Sequence, residues 1–385
     1  MGLRQRWLAA VLARPHLFLL NAPGGAAVRV AVERFARIQG WPVVDAPSDA
    51  DLLVLTAGPR LEVHPRLVAA ADELFGLIPA PKGSVRLTDP TRVGEVLVAA
   101  RTVLCRPSDS ACETGRSVGP GGADTDSELA PTDRSGHSGT TSAVMDHAGM
   151  EMPAGLPLAG SAPDRDGLAL DVLCVTLGPG LSHWPAGLVL DLTMQGDVVQ
   201  AAQAQLLGPP PLSASRAAWY DLVAGPETGL AVRRLDQLGR LFAVAGSDRL
   251  ALAAGRLRDD LIDGHADAGR RAGRLTRSAR GDRLLRSMTG RIPVDPDGSV
   301  LGLPAPGDVT SCWQLWLSDV EQTIAGTTPV RRRVDLPVVL DTLSRLSVGR
   351  EWAEVRLLVA ALDPDAELAG APQPAPAGQA VSGDG

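Results

Sequence analysis

Residues 170–199 read LDVLCVTLGPGLSHWPAGLVLDLTMQGDVV, and they decide how the second half of the chain folds. Val172 to Val175 is a short apolar run, broken at Gly178, Pro179 and Gly180. A second apolar run, Gly187 to Leu192, closes at Gly196-Asp197. β-Rich runs of this length between Gly and Pro predict two strands joined by a loop. Gly supplies positive φ and Pro fixes φ, so neither continues a strand.

Upstream of this pair the composition changes. Residues 106–165 are rich in Ser, Gly, Asp and Thr and hold no aromatic residue. Such a segment buries too little apolar surface to order itself, and it is longer than loops inside a domain usually are. It predicts a disordered linker between two domains. Met145, His147, Met150 and Met152 cluster within it. Thioether and imidazole are soft ligands suited to copper; the competing reading is chance Met and His in a flexible tether.

The half before the linker alternates strand and helix signals. His16 to Leu20, Asp51 to Thr56 and 84–87 read as strands, with a further signal at Trp41 to Val44. Ala27 to Gln39, 65–77 and 91–103 read as helices, and 3–13 as a short one. That alternation predicts a doubly wound parallel sheet. Ligands bind beyond the carboxyl ends of strands in such sheets. The candidate edge is therefore Asn21, Gly24 and Gly25 with Thr56 and Gly58.

The half after the pair is mostly helical. Pro209, Pro210 and Pro211 read as a stiff connector, followed by helices at Ser213–Leu222, Gly229–Ala245 and Asp248–Asp263. Leu235, Leu238, Leu241 and Phe242 share one helical face and predict core. Residues 270–291 carry eight Arg. Spaced by three, they wrap a helix rather than line it. They read either as a solvated surface or as a docking face for an acidic partner or lipid head groups. Gly307-Asp308-Val309 opens another helix, Leu336–Leu346 a helix or strand pair, and Glu354–Leu362 a terminal strand. The Ala-, Pro- and Gly-rich tail from Asp363 predicts disorder. The domains expected are 1–105, 166–362 and, between and after them, a linker at 106–165 and a tail at 363–385.

Composition narrows the functions. The 385 residues carry a net charge of −7, which argues against a nucleic-acid binder, since those are usually basic. Aromatics make up 3%, so the cores must be built from Leu, Val and Ala. No apolar run is long enough to span a bilayer. Arg14, Pro15 and His16 interrupt the apolar N-terminus, so a cytoplasmic chain is expected rather than a secreted one. Cys105, Cys112, Cys174 and Cys312 form no Cys-x-x-Cys pair, so spacing specifies neither a zinc ribbon nor a cysteine-ligated cluster. His64 reads as a surface or satisfied residue.

The frame GP…GLVLDLTMQGD, from Gly178-Pro179 to Gly187–Asp197, resembles the start of the large catalytic subunit of membrane-bound nickel–iron hydrogenases. It is equally similar to the quinone-reducing large subunit of respiratory complex I. The paired His of that family's loop fall here on Leu181 and Pro185, and His183 is in neither place. The loop residues Gly178, Pro179, His183 and Trp184 are therefore a degenerate quinone loop. Residues 16–90 resemble the small, cluster-bearing subunit: Asn21-Ala22 and Gly24 match the approach to its CNGC motif. SDADLLVLTAGP (48–59) and IPAPKGSVRL (78–87) match its next strand and its Pro-x-Pro-Lys segment. The two Cys of CNGC fall on Gly25 and Val28, and the following acid on Ala31. The family's Gly-Asp-Val helix carries Arg where Cys312 and Trp316 stand, and both nickel-binding Cys-x-x-Cys pairs are missing.

The resemblance implies a flavodoxin-like first domain, then an α+β, mostly helical second domain opening with the β pair. It implies an accessory or assembly subunit of a hydrogenase- or complex-I-like complex, with its iron–sulfur and nickel ligands lost and no cofactor expected. The partners implied are protein subunits of a membrane-associated oxidoreductase complex, at the cytoplasmic side of the membrane. Two alternatives stay open. One is an active quinone- or flavin-linked oxidoreductase subunit; the other is a nucleotide-binding enzyme using NAPGG as a phosphate loop, although GxGxxG and the P-loop Lys are missing.

Overall fold

A computed structural model describes residues 12–59, 63–105, 160–163, 169–208, 218–296, 298, 300–301, 303, 307–327, 329 and 335–365. The helix expected at 3–13, the Met/His segment and the Pro209–Pro211 connector lie outside this set, apart from Leu12 and Ala13, which lie in a turn.

The first unit is a parallel three-stranded sheet of β1 (Leu17–Asn21), β2 (Leu52–Thr56) and β3 (Gly83–Leu87), in that spatial order. The strand expected near Trp41 contracts to one parallel bridge, Val43 to Leu17, on the outer side of β1. That bridge explains the winding. The chain leaves β1, reaches Val43 on one side, then crosses back to β2 on the other, which is flavodoxin-like order. Helices consequently cover both faces. α1 (Ala26–Gln39) and α3 (Val93–Leu104) pack with Leu17, Leu52 and Val54, while α2 (Pro65–Leu77) packs with Phe18, Leu20 and Leu53. The alternation of Leu17 and Phe18 between the two cores is the two-residue period of a strand.

α1 starts at Gly25 for a steric reason: a Cβ there would lie 2.7 Å from the Thr56 carbonyl oxygen. It ends at Gly40, whose φ of 65° closes a left-handed cap with its N–H on the last-turn carbonyls. Val28, Val32 and Ala36 turn one stripe of α1 to the sheet. Arg29, Glu33 and Arg37, also spaced by four, form a second stripe.

The second unit opens with an antiparallel sheet in the order β4 (Gly160–Pro163), β5 (Ala169–Leu177), β6 (Leu188–Gln195), β7 (Val198–Leu206). The expected pair is β5–β6, flanked on both sides. β4 corrects the linker boundary: residues 160–163 pair with β5 rather than belonging to the tether. β7, VVQAAQAQL, is weakly β-forming by composition. It forms because Gly196-Asp197 makes a two-residue hairpin that lays it along β6.

Helices α4 (Trp219–Val244), α5 (Asp248–Ile262), α6 (Ala268–Gly281) and α7 (Arg283–Thr289) follow. α4 breaks at Gly225, φ 77°, immediately before Pro226, so it is two helical stretches. A ribbon of β8 (Pro293–Asp295) and β9 (Gly307–Asp308) leads into α8 (Val309–Ile324), then α9 (Leu336–Ser347) and α10 (Trp352–Leu362). α8 centres the core with fully buried Trp313, whose ring meets Phe242 edge-on at 6.2 Å. Leu235, Leu238, Leu241 and Phe242 are in that core, as their spacing predicts.

α10 replaces the strand expected at Glu354–Leu362. Val355 and Leu357 to Leu362 are all buried, and a continuous apolar run of that length shows no period that would distinguish it from a buried strand. The tail also begins later than expected. Asp363, with φ 42°, caps α10 and is buried.

Candidate functional site

The crevice where the first sheet reverses its strand order lies between the ends of β1 and β2. The sequence placed Asn21, Gly24, Gly25, Thr56 and Gly58 there. The fold brings them together, but closed. The Thr56 hydroxyl donates to Asn21 Oδ1 at 2.9 Å, the Ala22 N–H donates to the Thr56 carbonyl at 2.8 Å, and Gly25 packs against Thr56 and Ala57.

The second unit covers this edge. Pro23 is buried against Gly187 and Gly208, where an added Cβ would approach its ring to 2.6 and 3.0 Å. Val189 and Leu207 enter the core beneath α2, and Val30 of α1 joins Trp219, Tyr220 and Val232. The loop 178–187 rides on the first unit. Gly180 abuts Leu74, and the Ser182 hydroxyl donates to the Asp45 carbonyl at 3.1 Å. Within the loop, Gly178 (φ 82°) precedes Pro179, and Trp184 Nε1 donates to the Leu188 carbonyl at 2.8 Å. His183 adopts φ 60°, is exposed, and lies 3.6 Å from Asp45.

The nearest neighbours of a Cβ at Gly25 are Thr56 and Ala57 of its own unit. Leu181 is 36% exposed. Pro23, Trp184 and Trp219 lie at the junction.

Behind these apolar contacts the junction is charged. Arg29 of α1 donates to Glu33 at 2.7 Å and, across the junction, to Asp236 of α4 at 2.7 Å. Arg258 of α5 donates from one nitrogen to both Glu33 and Asp236, each at 2.8 Å, and from its other nitrogens to Asp259. Arg37 and Arg34 reach from α1 to Asp259 and Asp263. On the other side of Asp236, Arg240 donates to Asp363 at 2.6 Å, and the Gln237 amide donates to the same carboxylate at 2.7 Å. Asp236 is 4% exposed and Arg258 2%.

Buried ions persist only when paired and hydrogen-bonded, and the titration of this network reflects that. Burial would raise the Glu33 carboxyl, but the Arg29 and Arg258 charges reverse this and bring it down to about 2. Burial likewise opposes ionisation of Asp236, and Arg29, Arg240 and Arg258 hold it far below the usual carboxylate range.

A cavity of about 40 Å³ remains, bounded by Asn21, Arg29, Trp184, Arg233, Asp236 and Asp363. A neighbouring one of about 30 Å³ lies between Arg234, Cys312, Trp316 and Asp363. One water occupies roughly 10–15 Å³ on this measure, whereas small-molecule pockets run to roughly 300–1,000 Å³. These are water-sized spaces.

The positions that the resemblance aligns with the cluster cysteines are Gly25 and Val28. Val28 is buried in the apolar core and Gly25 is closed by backbone, so neither position offers a thiolate, which an iron–sulfur cluster requires. Among the described residues no three His, Cys, Asp or Glu are placed to hold a metal ion. Cys312 is buried and donates to the Ala361 carbonyl at 3.5 Å, and burial pushes its thiol well above the ordinary range. Trp316 carries the Arg234 guanidinium over its ring at 5.9 Å, and Arg234 pairs with Asp319 at 2.8 Å. His64 caps α2, accepting from the Arg66 N–H.

No protein-family model matches the chain, and no curated protein sequence matches it. Among solved structures, it is similar to a chain of the membrane-bound sulfane sulfur reductase, an archaeal respiratory membrane complex. That likeness has 10% identity and a TM-score of 0.33, over 51% of this chain and 98% of that one. Among the described residues no helix is long and apolar enough to cross a membrane.

Sequence reasoning missed the charged junction altogether. Its signal was present in the four-residue spacing of Arg29, Glu33 and Arg37, and in Arg233, Asp236, Gln237 and Arg240 opposite the apolar stripe of α4. Each stripe alone reads as a solvated face; where the units dock, Arg29 of one stripe meets Asp236 of the other.

Proposed function

We propose that the chain is an accessory or assembly subunit of an oxidoreductase complex related to the hydrogenases and complex I, acting through protein contacts on the cytoplasmic face of the membrane. On this reading it comprises a small-subunit-like unit at 1–105 and a large-subunit-like unit at 166–362. They are joined covalently by the intervening segment, and the chain carries no iron–sulfur cluster or nickel of its own.

The observation that carries the proposal is the charged junction. The crevice that would receive a cofactor is closed by Thr56, Pro23 and Trp184, and the space behind it is taken up by Arg29, Asp236, Arg258 and Asp363. Quinone or flavin binding finds no support at cavities of about 30 and 40 Å³. The NAPGG turn serves the α1 start and the Pro23 contact, which accounts for its composition without a phosphate.

The test is purification of the tagged, full-length chain from membranes of its own cells in mild detergent. The proposal predicts stoichiometric recovery with subunits that carry iron–sulfur clusters, and loss of the assembled complex when the gene is deleted. Recovery of the chain alone, with the redox complex intact in the deletion strain, contradicts it.

A further inference from the structure

A groove of about 550 Å³ runs between α5 and α6. Arg249, Leu252, Ala253 and Arg256 face it from α5, and Arg271 and Arg274 from α6. The α5 residues recur at i, i+3, i+4 and i+7, so each helix turns a single stripe to the groove. Buried Leu250, Leu257 and Leu275 also line it, and Leu252 is 46% exposed. No carboxylate lines the groove. Arg271 is paired with Asp260 outside it, whereas Arg249, Arg256 and Arg274 have no ion-pair partner among the described residues. Elsewhere in this region Arg277, Arg283 and Arg286 are likewise without an ion-pair partner among the described residues. Arg270 pairs with Asp267 and Arg280 with Glu321.

We infer that this groove docks an acidic amphipathic helix of a partner protein, with apolar anchors on Leu252 and Ala253 and carboxylates on the arginine rim. Three features select that occupant. The rim has an excess of unpaired positive charge and no acid, so the complement is anionic. The rim cations are all Arg, whose planar fork matches carboxylates in bidentate fashion. The groove runs between two helices, a shape that the ridge of a third helix fits. α5 turns Arg258 to the charged junction and this stripe to the groove, so the inference does not depend on the subunit reading.

The test uses the full-length protein and a fluorescein-labelled helical peptide with Leu at i and i+4 and Glu on both flanks. Its Glu→Lys counterpart and vesicles of phosphatidylglycerol serve as the other arms. The acidic peptide should bind, more weakly as salt rises, and the Lys peptide should not. Arg256→Glu with Arg274→Glu should weaken binding about tenfold or more, and Leu252→Asp should also weaken it. All three positions are exposed, so the thermal melt should stay unchanged and exclude unfolding as the cause. Failure of the acidic peptide to bind, or equal binding by the double variant, overturns the inference. Stronger retention on phosphatidylglycerol vesicles than by the peptide, lost in the same variants, overturns it in favour of a membrane surface.

Discussion

Replacing Asp236 by Asn tests whether charge holds the two units together. The substitution keeps the shape of the side chain and removes one negative charge from a site that is 4% exposed. It removes the charge and one of the two oxygens that face Arg29 at 2.7 Å and Arg258 at 2.8 Å, and weakens Arg240, whose Nε lies 3.4 Å away. Glu33, Asp259 and Asp363 remain, so the network is left with one uncompensated buried cation. Breaking a buried pair in this way costs about 3–5 kcal/mol, against about 0–1 kcal/mol for an exposed one. The assay is urea unfolding at neutral pH, followed by far-ultraviolet circular dichroism and by tryptophan fluorescence, since Trp184 and Trp219 line the junction. Adding Arg29→Met removes one positive charge and restores the charge balance of the network. The double variant should then be more stable than the sum of the single effects, by about 0.5–3 kcal/mol. A cost for Asp236→Asn below about 1 kcal/mol, with no coupling to Arg29, refutes the reasoning.

The same network sets an acid limit. Glu33 is lowered from its ordinary 4.5 to about 2, and Asp236 is lowered further. A depressed carboxyl contributes stability above its unfolded pKa and loses it as pH falls toward the folded one. Stability should therefore hold near neutrality and decline from about 4.5 to 2, with a shallower decline in Glu33→Gln. Gly25→Ala should destabilise the first unit by about 1–3 kcal/mol through overpacking, because its Cβ would lie 2.7 Å from the Thr56 carbonyl; a neutral result in thermal melts would mean that the α1 start is not so closely fitted. Anaerobic purification followed by metal analysis and electron paramagnetic resonance should find no stoichiometric iron or nickel. A cluster signal would remove the basis for the proposed role.

The first unit was read from sequence almost element by element because its strands and helices alternate in period as well as in order. α2 begins and ends where Pro65 and the apolar spacing predict. The missing outer strand at Trp41–Val44 is one bridge because only Val43 reaches β1. The errors in the second unit have one source: elements whose form is set by their neighbours. β7 is a strand because β6 offers it a ladder, despite its Ala and Gln. α10 is a helix whose last six residues, Leu357 to Leu362, are all buried, so no period survives there to identify it. Asp363 reads as tail because Ala, Pro and Gly follow it, yet Arg240 and Gln237 hold its carboxylate in the buried network. The same cause hid the candidate site. Charges on α1 and α4 have no burial signature until the two halves are brought together.

The most direct measurement of that docking is to insert a protease site between residues 106 and 159, cut the purified chain, and pass it through a size-exclusion column. A junction built from the Pro23 contact, the Val189 and Leu207 insertions and the buried ion network should keep the two fragments together at neutral pH. It should also do so in high salt, since buried pairs are little screened, and should release them in Asp236→Asn. Separate elution of two folded wild-type fragments would contradict the account.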